Sequence, residues 1–162
     1  MTLAVYPGTF DPITMGHFDL IQRASALFDR VIVAVALADH KKTLFSFAER
    51  LDLVQQSLAH LPSVQVLPLE GLLVDFVAAQ QANVIVRGLR TAADFEYEFQ
   101  LAGMNRKLSS TIETVFMTPS EETLFISATL VREIIRFKGD ASAFVPPPVA
   151  QFLQKLRPAH GA

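Results

Sequence analysis

Leu3-Ala-Val-Tyr-Pro-Gly-Thr-Phe-Asp-Pro-Ile-Thr-Met-Gly-His17 is the stretch that decides the fold. Its first residues, Leu3 to Tyr6, form a short apolar run that stops at Pro7-Gly8, a pair that punctuates a strand instead of extending it. From about His17 onward Phe18, Leu20, Ile21, Ala24, Leu27 and Phe28 recur at helical spacing. Strand, loop and helix in that order open a parallel βαβ unit, and the loop between them belongs at the carboxyl edge of a sheet.

The alternation continues outward from this stretch. Arg30 to Ala36 is nearly all Val, Ile and Ala, the composition of a strand buried on both faces. A loop with His40, Lys41 and Lys42 follows. Ser46-Phe-Ala-Glu49 is then a capping box, in which each side chain can take up the other residue's free backbone N–H, and a helix is expected to about His60. Val64 to Leu67 reads as a third strand, Leu72 to Gln81 as a third helix, and Val84 to Val86 as a fourth strand ending in Arg87-Gly88-Leu89-Arg90. A helix is expected over about Ala92 to Leu108, with a register blurred by polar positions, and Glu113 to Met117 reads as a fifth strand. Ser127 opens a helix through Phe137, Pro146-Pro147-Pro148 leads into a last helix ending near Leu156, and residues 157–162 are expected to form a frayed tail. The expected fold is α/β: a Rossmann-like doubly wound five-stranded parallel sheet with helices on both faces and further C-terminal helices. One domain is expected to span 1–162.

Bulk composition narrows the function. A chain of 162 residues suits one core, yet 51% hydrophobic residues with 13 Phe exceed what one small core hides, so an oligomer is expected. Lys plus Arg total 14 against 16 Asp plus Glu, a net charge of −2 without a basic block, so nucleic acid is not the expected partner. No cysteine is present, which removes disulfides and thiolate chemistry, and the His residues at 17, 40, 60 and 160 form no zinc motif. The longest uninterrupted apolar stretch, Val31 to Ala38, is far short of the ~20 residues that span a bilayer. The first residues also lack the charged and apolar regions of a signal peptide, so no membrane association and a cytoplasmic location are expected.

Chemistry should then lie on the loops after Tyr6, Ala36, Val86 and Met117. In the first, Gly8 and Gly16 would let the backbone approach a phosphate, Thr9 offers a hydroxyl, and His17 places an imidazole where a helix begins. The bland alternative is an ordinary capped turn around Asp11-Pro12 with a partly buried His17. The string Thr14-Met-Gly-His17, directly after a first strand in a doubly wound chain, favours function. Arg87 and Arg90 flank a glycine at a strand end, and guanidinium groups match phosphate oxygens in a two-pronged geometry. Two arginines three apart are otherwise a common solvated pair. Lys41 and Lys42 could supply a mobile ammonium, although an exposed Lys pair is commonly inert. Ser127 is explained as an N-cap, whereas Thr129 has no such need and its hydroxyl could face a phosphate.

These pieces amount to phosphate donors around one imidazole, with no evident nucleophile and base pair. No Walker lysine loop is present and Pro7-Gly-Thr-Phe-Asp11 does not match GxGxxG, so nucleotidyl transfer remains. In that reaction an anionic phosphate attacks the α-phosphorus in line and needs no general base. The enzyme aligns two mutually repelling anions and holds the growing charge.

The chain closely resembles the bacterial phosphopantetheine adenylyltransferases from about Leu3 to Leu156. Thr14-Met-Gly-His17 and Ile126-Ser-Ala-Thr-Leu-Val-Arg132 resemble the two signatures of the wider nucleotidyltransferase superfamily. Tyr6-Pro-Gly-Thr-Phe-Asp-Pro12, Arg87-Gly-Leu-Arg90, Asp94-Phe-Glu-Tyr-Glu98 and Met104-Asn-Arg106 carry the narrower likeness. The resemblance implies ATP and 4'-phosphopantetheine as substrates, Mg²⁺ as cofactor and a homohexamer. It implies that His17 stabilises the pentavalent transition state with Lys41 and Arg90 as further catalytic groups, and that Arg90 grips the β- and γ-phosphates. Thr9, Lys41 and Arg87 would hold the acceptor phosphate, and Leu73 and Asn105 would touch the pantetheine arm. Thr9, Phe10, His17, Gly88, Leu89, Arg90 and Glu98 would line the ATP site, together with Thr123, Leu124, Phe125, Ile126, Ser127, Ala128 and Thr129. Many bacterial members carry a run of serines where this chain has Ser127-Ala128-Thr129, which puts a side-chain contact at Ala128 in doubt. Two other readings stay open. One is a superfamily transferase acting on a nicotinamide nucleotide or glycerol phosphate, and the other is a non-catalytic nucleotide sensor.

Overall fold

The computed structural model describes residues 1–157, so the expected tail beyond Arg157 lies outside the described residues. Five parallel strands make up the sheet: β1 (Leu3–Gly8), β2 (Arg30–Ala36), β3 (Val64–Leu69), β4 (Val84–Gly88) and β5 (Glu113–Met117). Their order across it is β3-β2-β1-β4-β5. The helices are α1 (Met15–Leu27), α2 (Phe47–Leu58), α3 (Leu73–Ala79), α4 (Ala92–Leu108), α5 (Ala128–Arg136) and α6 (Pro147–Leu156). This is the doubly wound, Rossmann-like arrangement expected from the apolar runs.

Residue alternation along the central strands divides the core into two layers. Ala4, Tyr6, Val31, Val33, Val35 and Val86 face one side, where Leu20, Ile21 and Ala24 of α1 and Leu53, Val54 and Leu58 of α2 cover them. Val131 of α5 and Val149 of α6 complete that layer. Val5, Ile32, Ala34 and Ile85 face the other side, against Val74 and Val77 of α3. Strand order reverses beside β1, which lies between β2 and β4, and this places a crevice at the carboxyl ends of β1 and β4.

Several boundaries differ from expectation, each for a local reason. β1 and β4 run two residues beyond the expected Tyr6 and Val86, because Pro7 and Gly8 still align with Ala34 and Val35, and Arg87 and Gly88 with Phe116 and Met117. β3 likewise continues through Pro68, which an edge strand tolerates because one side of its ladder is unpaired. α1 begins at Met15, ahead of His17, since the Thr14 hydroxyl caps it by accepting the His17 backbone N–H at 3.3 Å. The Ser46 and Glu49 capping box forms at the head of α2 as expected. A single tight helical turn over Ser142–Phe144 has no counterpart among the expected elements.

α4 is built the opposite way from an ordinary surface helix. Its buried residues are polar, Glu98 and Asn105, while Phe95, Tyr97, Phe99, Met104 and Leu108 are exposed. Phe95 and Phe99 stack with ring centroids 5.6 Å apart on that outer surface.

Candidate active site

A cleft of about 310 Å³ opens at the switch point, lined by Tyr6, Pro7 and Gly8 from β1 and by Thr14, Gly16, His17 and Leu20 from the head of α1. Arg87, Gly88, Arg90, Asp94 and Glu98 come from the end of β4 and from α4. Pro119, Thr123 and Ile126 come from the segment between β5 and α5, and Ala128 and Thr129 from the first turn of α5. His17 and both arginines therefore share one cavity.

The first loop is held by packing as much as by polar contacts. Phe10 has a left-handed backbone (φ 52°), and its ring turns down into the core against Tyr6 and His17, with centroid distances of 5.7 and 5.0 Å. A Cβ at position 8 would sit 2.9 Å from that ring, so Gly8 makes room for Phe10. Phe10 is only 2% exposed, so its ring serves the core and does not line the cleft.

His17 is held in one protonation state. The Thr14 backbone N–H donates to its Nδ1 at 3.0 Å, and a backbone N–H has no other role to play, so Nδ1 is the unprotonated nitrogen and the ring proton resides on Nε2. Burial, reinforced by the Arg90 and Arg132 charges, lowers the imidazole pKa to about 4. The ring is thus a neutral hydrogen-bond donor at neutral pH. The buried Tyr6 phenol is pushed up to about 12, mainly by desolvation, and stays protonated.

The arginines of the fourth loop differ sharply. Arg87 donates through Nε and Nη2 to the two carboxylate oxygens of Glu98 at 2.7 and 2.6 Å, a two-pronged ion pair. Burial opposes the Arg87 charge, but the Glu98 bonds outweigh it and raise the guanidinium above its ordinary pKa. Arg90 is exposed, and its Nη1 donates to the Ile126 carbonyl at 3.1 Å, bridging the β4 loop to the segment before α5.

Three structural residues escaped the sequence reading. Asp11, expected only as an ordinary turn residue, is 4% exposed and accepts the backbone N–H groups of Leu44 and Phe45 at 2.8 and 2.9 Å. Arg50, 1% exposed, donates to the carbonyls of Thr9, Ala36, Leu37 and Phe45 at 2.7, 2.7, 2.9 and 3.3 Å. Together they fasten the β1 loop to the β2 loop. Arg132 donates to the Asp11 carbonyl at 3.0 Å and to the Thr129 hydroxyl at 3.1 Å, tying α5 to the same loop. Beyond these three, Asp19 of α1 accepts the Ser120 N–H at 3.3 Å and Arg23 donates to the Thr118 carbonyl at 2.8 Å, joining α1 to the segment after β5. A buried Arg amid helical spacing carries no sequence mark, and only the converging carbonyls explain it.

Of the residues named from sequence, His17, Arg87, Gly88, Arg90, Glu98, Thr123, Ile126, Ala128 and Thr129 line the cleft. Thr9, Phe10, Leu89, Leu124, Phe125 and Ser127 belong to the bordering segments without lining it. The Ser127 hydroxyl is engaged as the α5 cap, accepting the Leu130 N–H at 3.1 Å. Lys41 is exposed on the β2 loop, outside the cleft wall, so of the four loops named from sequence the one after Ala36 does not line it. Leu73 packs against the α3-side core, and Asn105 is buried on α4, neither in the cleft. Asp94 and Pro119 are lining residues to which the sequence reading gave no role. A separate cavity of about 280 Å³ between the ends of α5 and α6 shares no lining residue with the cleft. No group of three or more His, Asp or Glu able to hold a metal ion occurs among the described residues.

Fold and cleft together define a nucleotidyltransferase, and the profile of the cytidylyltransferase-like family matches residues 5–134. A phosphopantetheine adenylyltransferase from Paraburkholderia xenovorans (strain LB400) is 55% identical over 166 residues, covering 100% of this chain and 97% of that protein. Another of the same name from Acidovorax sp. (strain JS42) is 60% identical over 155 residues, covering 95% of this chain and 94% of its own. Within that class the chain belongs to the phosphopantetheine adenylyltransferase family. A Vibrio parahaemolyticus protein solved as a candidate nicotinate-nucleotide adenylyltransferase superposes with a TM-score of 0.72 at 20% identity, covering 95% of this chain and 99% of that one, which speaks to the fold alone.

Proposed function

We propose that this chain transfers the adenylyl group of ATP to the phosphate of 4'-phosphopantetheine, giving dephospho-coenzyme A and pyrophosphate. Its relatives at 55% and 60% identity over nearly the whole chain support the acceptor. The single observation that carries the chemistry is one cleft in which a neutral imidazole and two guanidinium groups meet at a sheet switch point.

An acceptor phosphate oxygen attacks the α-phosphorus, a new P–O bond closes the anhydride, and the bond to the β-phosphate oxygen breaks in line. The acceptor arrives ionised, so no side chain has to remove a proton. His17 donates from Nε2 to an α-phosphate oxygen as charge builds there, which is worth most in the transition state. Arg90 leaves the Ile126 carbonyl for the β- and γ-phosphates. Arg87 meets the acceptor phosphate, and Lys41 and Thr9 approach it from the loops that Asp11 and Arg50 fasten together. Leu73 and Asn105 are proposed to meet the pantetheine arm beyond the cleft wall.

Mg²⁺ fits as a passenger on the triphosphate, held by phosphate oxygens and water, since this small ion keeps several waters and needs few protein ligands. When bound there it neutralises charge on the departing pyrophosphate. The apolar outer surface of α4 suits burial between copies of the chain, and a homohexamer is the assembly proposed. No described helix is long and apolar enough to cross a membrane, and the proposed setting is the cytoplasm without nucleic-acid partners.

A pyrophosphate-release assay with ATP or CTP against 4'-phosphopantetheine, nicotinamide mononucleotide and glycerol phosphate tests this reading. Turnover is expected with ATP and phosphopantetheine. Preference for another pair, or ATP binding without turnover, would overturn it.

A further inference from the structure

We propose that Asp19 and Arg23 are positioning residues for the nucleotide, clamping the segment after β5 to α1 at a fixed distance from His17. The inference rests on the functional reading above for ATP as the ligand, while the clamp itself is a matter of geometry.

Residues 118–127 belong to no helix or strand, yet Pro119, Thr123 and Ile126 among them form one wall of the cleft. The segment folds on itself: the Thr123 N–H donates to the Ser120 carbonyl at 3.1 Å, the Ile126 N–H to the Thr123 carbonyl at 3.0 Å, and the Ser120 and Thr123 hydroxyls bond at 2.9 Å. Without a strand ladder its place depends on a few side chains from outside. Among the described residues, Asp19 accepts the Ser120 N–H, Arg23 donates to the Thr118 carbonyl, and Arg90 donates to the Ile126 carbonyl. Arg90 is the one that turns to the triphosphate in the proposed reaction, which leaves the other two to hold the wall while ATP is bound. Asp19 and Arg23 lie four apart on α1 and share one face, and Nη1 of Arg23 donates to Asp19 at 3.1 Å as well as to the Thr118 carbonyl at 2.8 Å. Gly16 continues the seam at the head of the helix, where a Cβ would lie 3.6 Å from the Ile126 carbonyl oxygen and 3.9 Å from that of Thr123. His17 follows directly, so one rigid helix carries both the imidazole and the anchors of the wall. The separation between that wall and the group that meets the α-phosphate is thereby set before substrate arrives. A pair serving the fold alone would lose stability without distinguishing between the two substrates.

Asp19→Ala, Asp19→Asn and Arg23→Ala are compared with wild type by steady-state kinetics and by amide hydrogen exchange without substrate. Asp19→Ala is expected to lower kcat/KM for ATP about tenfold or more, the scale of one lost hydrogen bond to a charged group, with the phosphopantetheine KM within about twofold. Asp19→Asn keeps an oxygen for the Ser120 N–H and is expected to recover most of that loss. Arg23→Ala is expected to act in the same direction as Asp19→Ala. With 41% of its side chain exposed, Arg23 is the safer site to truncate, and its variant carries the comparison should Asp19→Ala fail to fold. Exchange is expected to quicken over residues 118–127 in both alanine variants and to stay as it is in the β1 loop. An unchanged kcat/KM for ATP, a phosphopantetheine KM that rises as much, no recovery in Asp19→Asn, or unaltered exchange over residues 118–127 would overturn the proposal. If the wild-type enzyme makes no pyrophosphate from this substrate pair, the functional reading falls instead. Calorimetric binding of ATP to wild type and Arg23→Ala then decides the positioning role, with weaker binding to the variant expected and equal binding overturning it.

Discussion

The backbone N–H of Thr14 donates to Nδ1 of His17 at 3.0 Å, so the residue that caps α1 also selects the tautomer of the imidazole. A capping box ordinarily places Glu or Gln at this third helical position, where only the helix benefits. Here the same contact aims an Nε2–H into the cleft. His17→Ala is expected to lower kcat by about 10² or more while ATP still binds, as for a donor acting mainly in the transition state. Rapid-quench measurement of kcat beside calorimetric ATP affinity checks this, and an unchanged kcat excludes the role.

The depressed pKa of His17 has two consequences with a definite sign. The folded protein holds the imidazole neutral down to about pH 4, while the unfolded chain protonates it near the ordinary value of 6.5. Between those values the unfolded state binds more protons, so stability rises with pH across this window and is lost as pH falls through it. The loss is expected to reach at most about 3 kcal/mol and less in practice, since one side of the ring meets the open cleft. Urea titrations of wild type and His17→Gln from pH 7 to pH 4 should differ in slope, and parallel curves would count against the assignment. In the same window any inflection in kcat should follow the second ionisation of the bound acceptor phosphate, at about 6, and not a titration of His17.

Arg90 reaches across the cleft to Ile126, and a single ammonium cannot reproduce its planar fork. Arg90→Lys is expected to weaken ATP affinity by about tenfold or more despite the retained charge. Titration calorimetry giving equal affinity would show that Arg90 serves the backbone bridge alone.

Asp11 accepts two backbone N–H groups from a loop more than thirty residues away, and Asp11→Ala leaves the buried Phe45 N–H and the part-buried Leu44 N–H without an acceptor. Each such group costs about 1–3 kcal/mol, so a loss of about 2 to 4 kcal/mol is expected in denaturant unfolding. The phosphopantetheine KM should rise as well, because the same contacts hold the loop that carries Lys41. A variant with normal stability and KM would show that the loops stay joined through Arg50 alone.

The apolar runs and their spacing were enough to specify five parallel strands, the helices between them, and a crevice beside Thr14-Met-Gly-His17 and Arg87-Gly-Leu-Arg90. Periodicity of two or of 3.6 is a local property, and local caps such as Ser46 with Glu49 are written in adjacent residues. Contacts between distant segments are not. The sequence offered Gly8 as an approach point for phosphate, and Gly8 does line the cleft, but its second role of admitting the Phe10 ring was not written in the spacing. Nothing in the spacing told that Arg87 is already held by Glu98, that Arg50 is buried beneath four carbonyls, or that Lys41 stands outside the cleft wall. Those facts depend on which side chains the pairing of β1 with β2 on one side and β4 on the other brings within hydrogen-bond reach, and only the packed chain decides that.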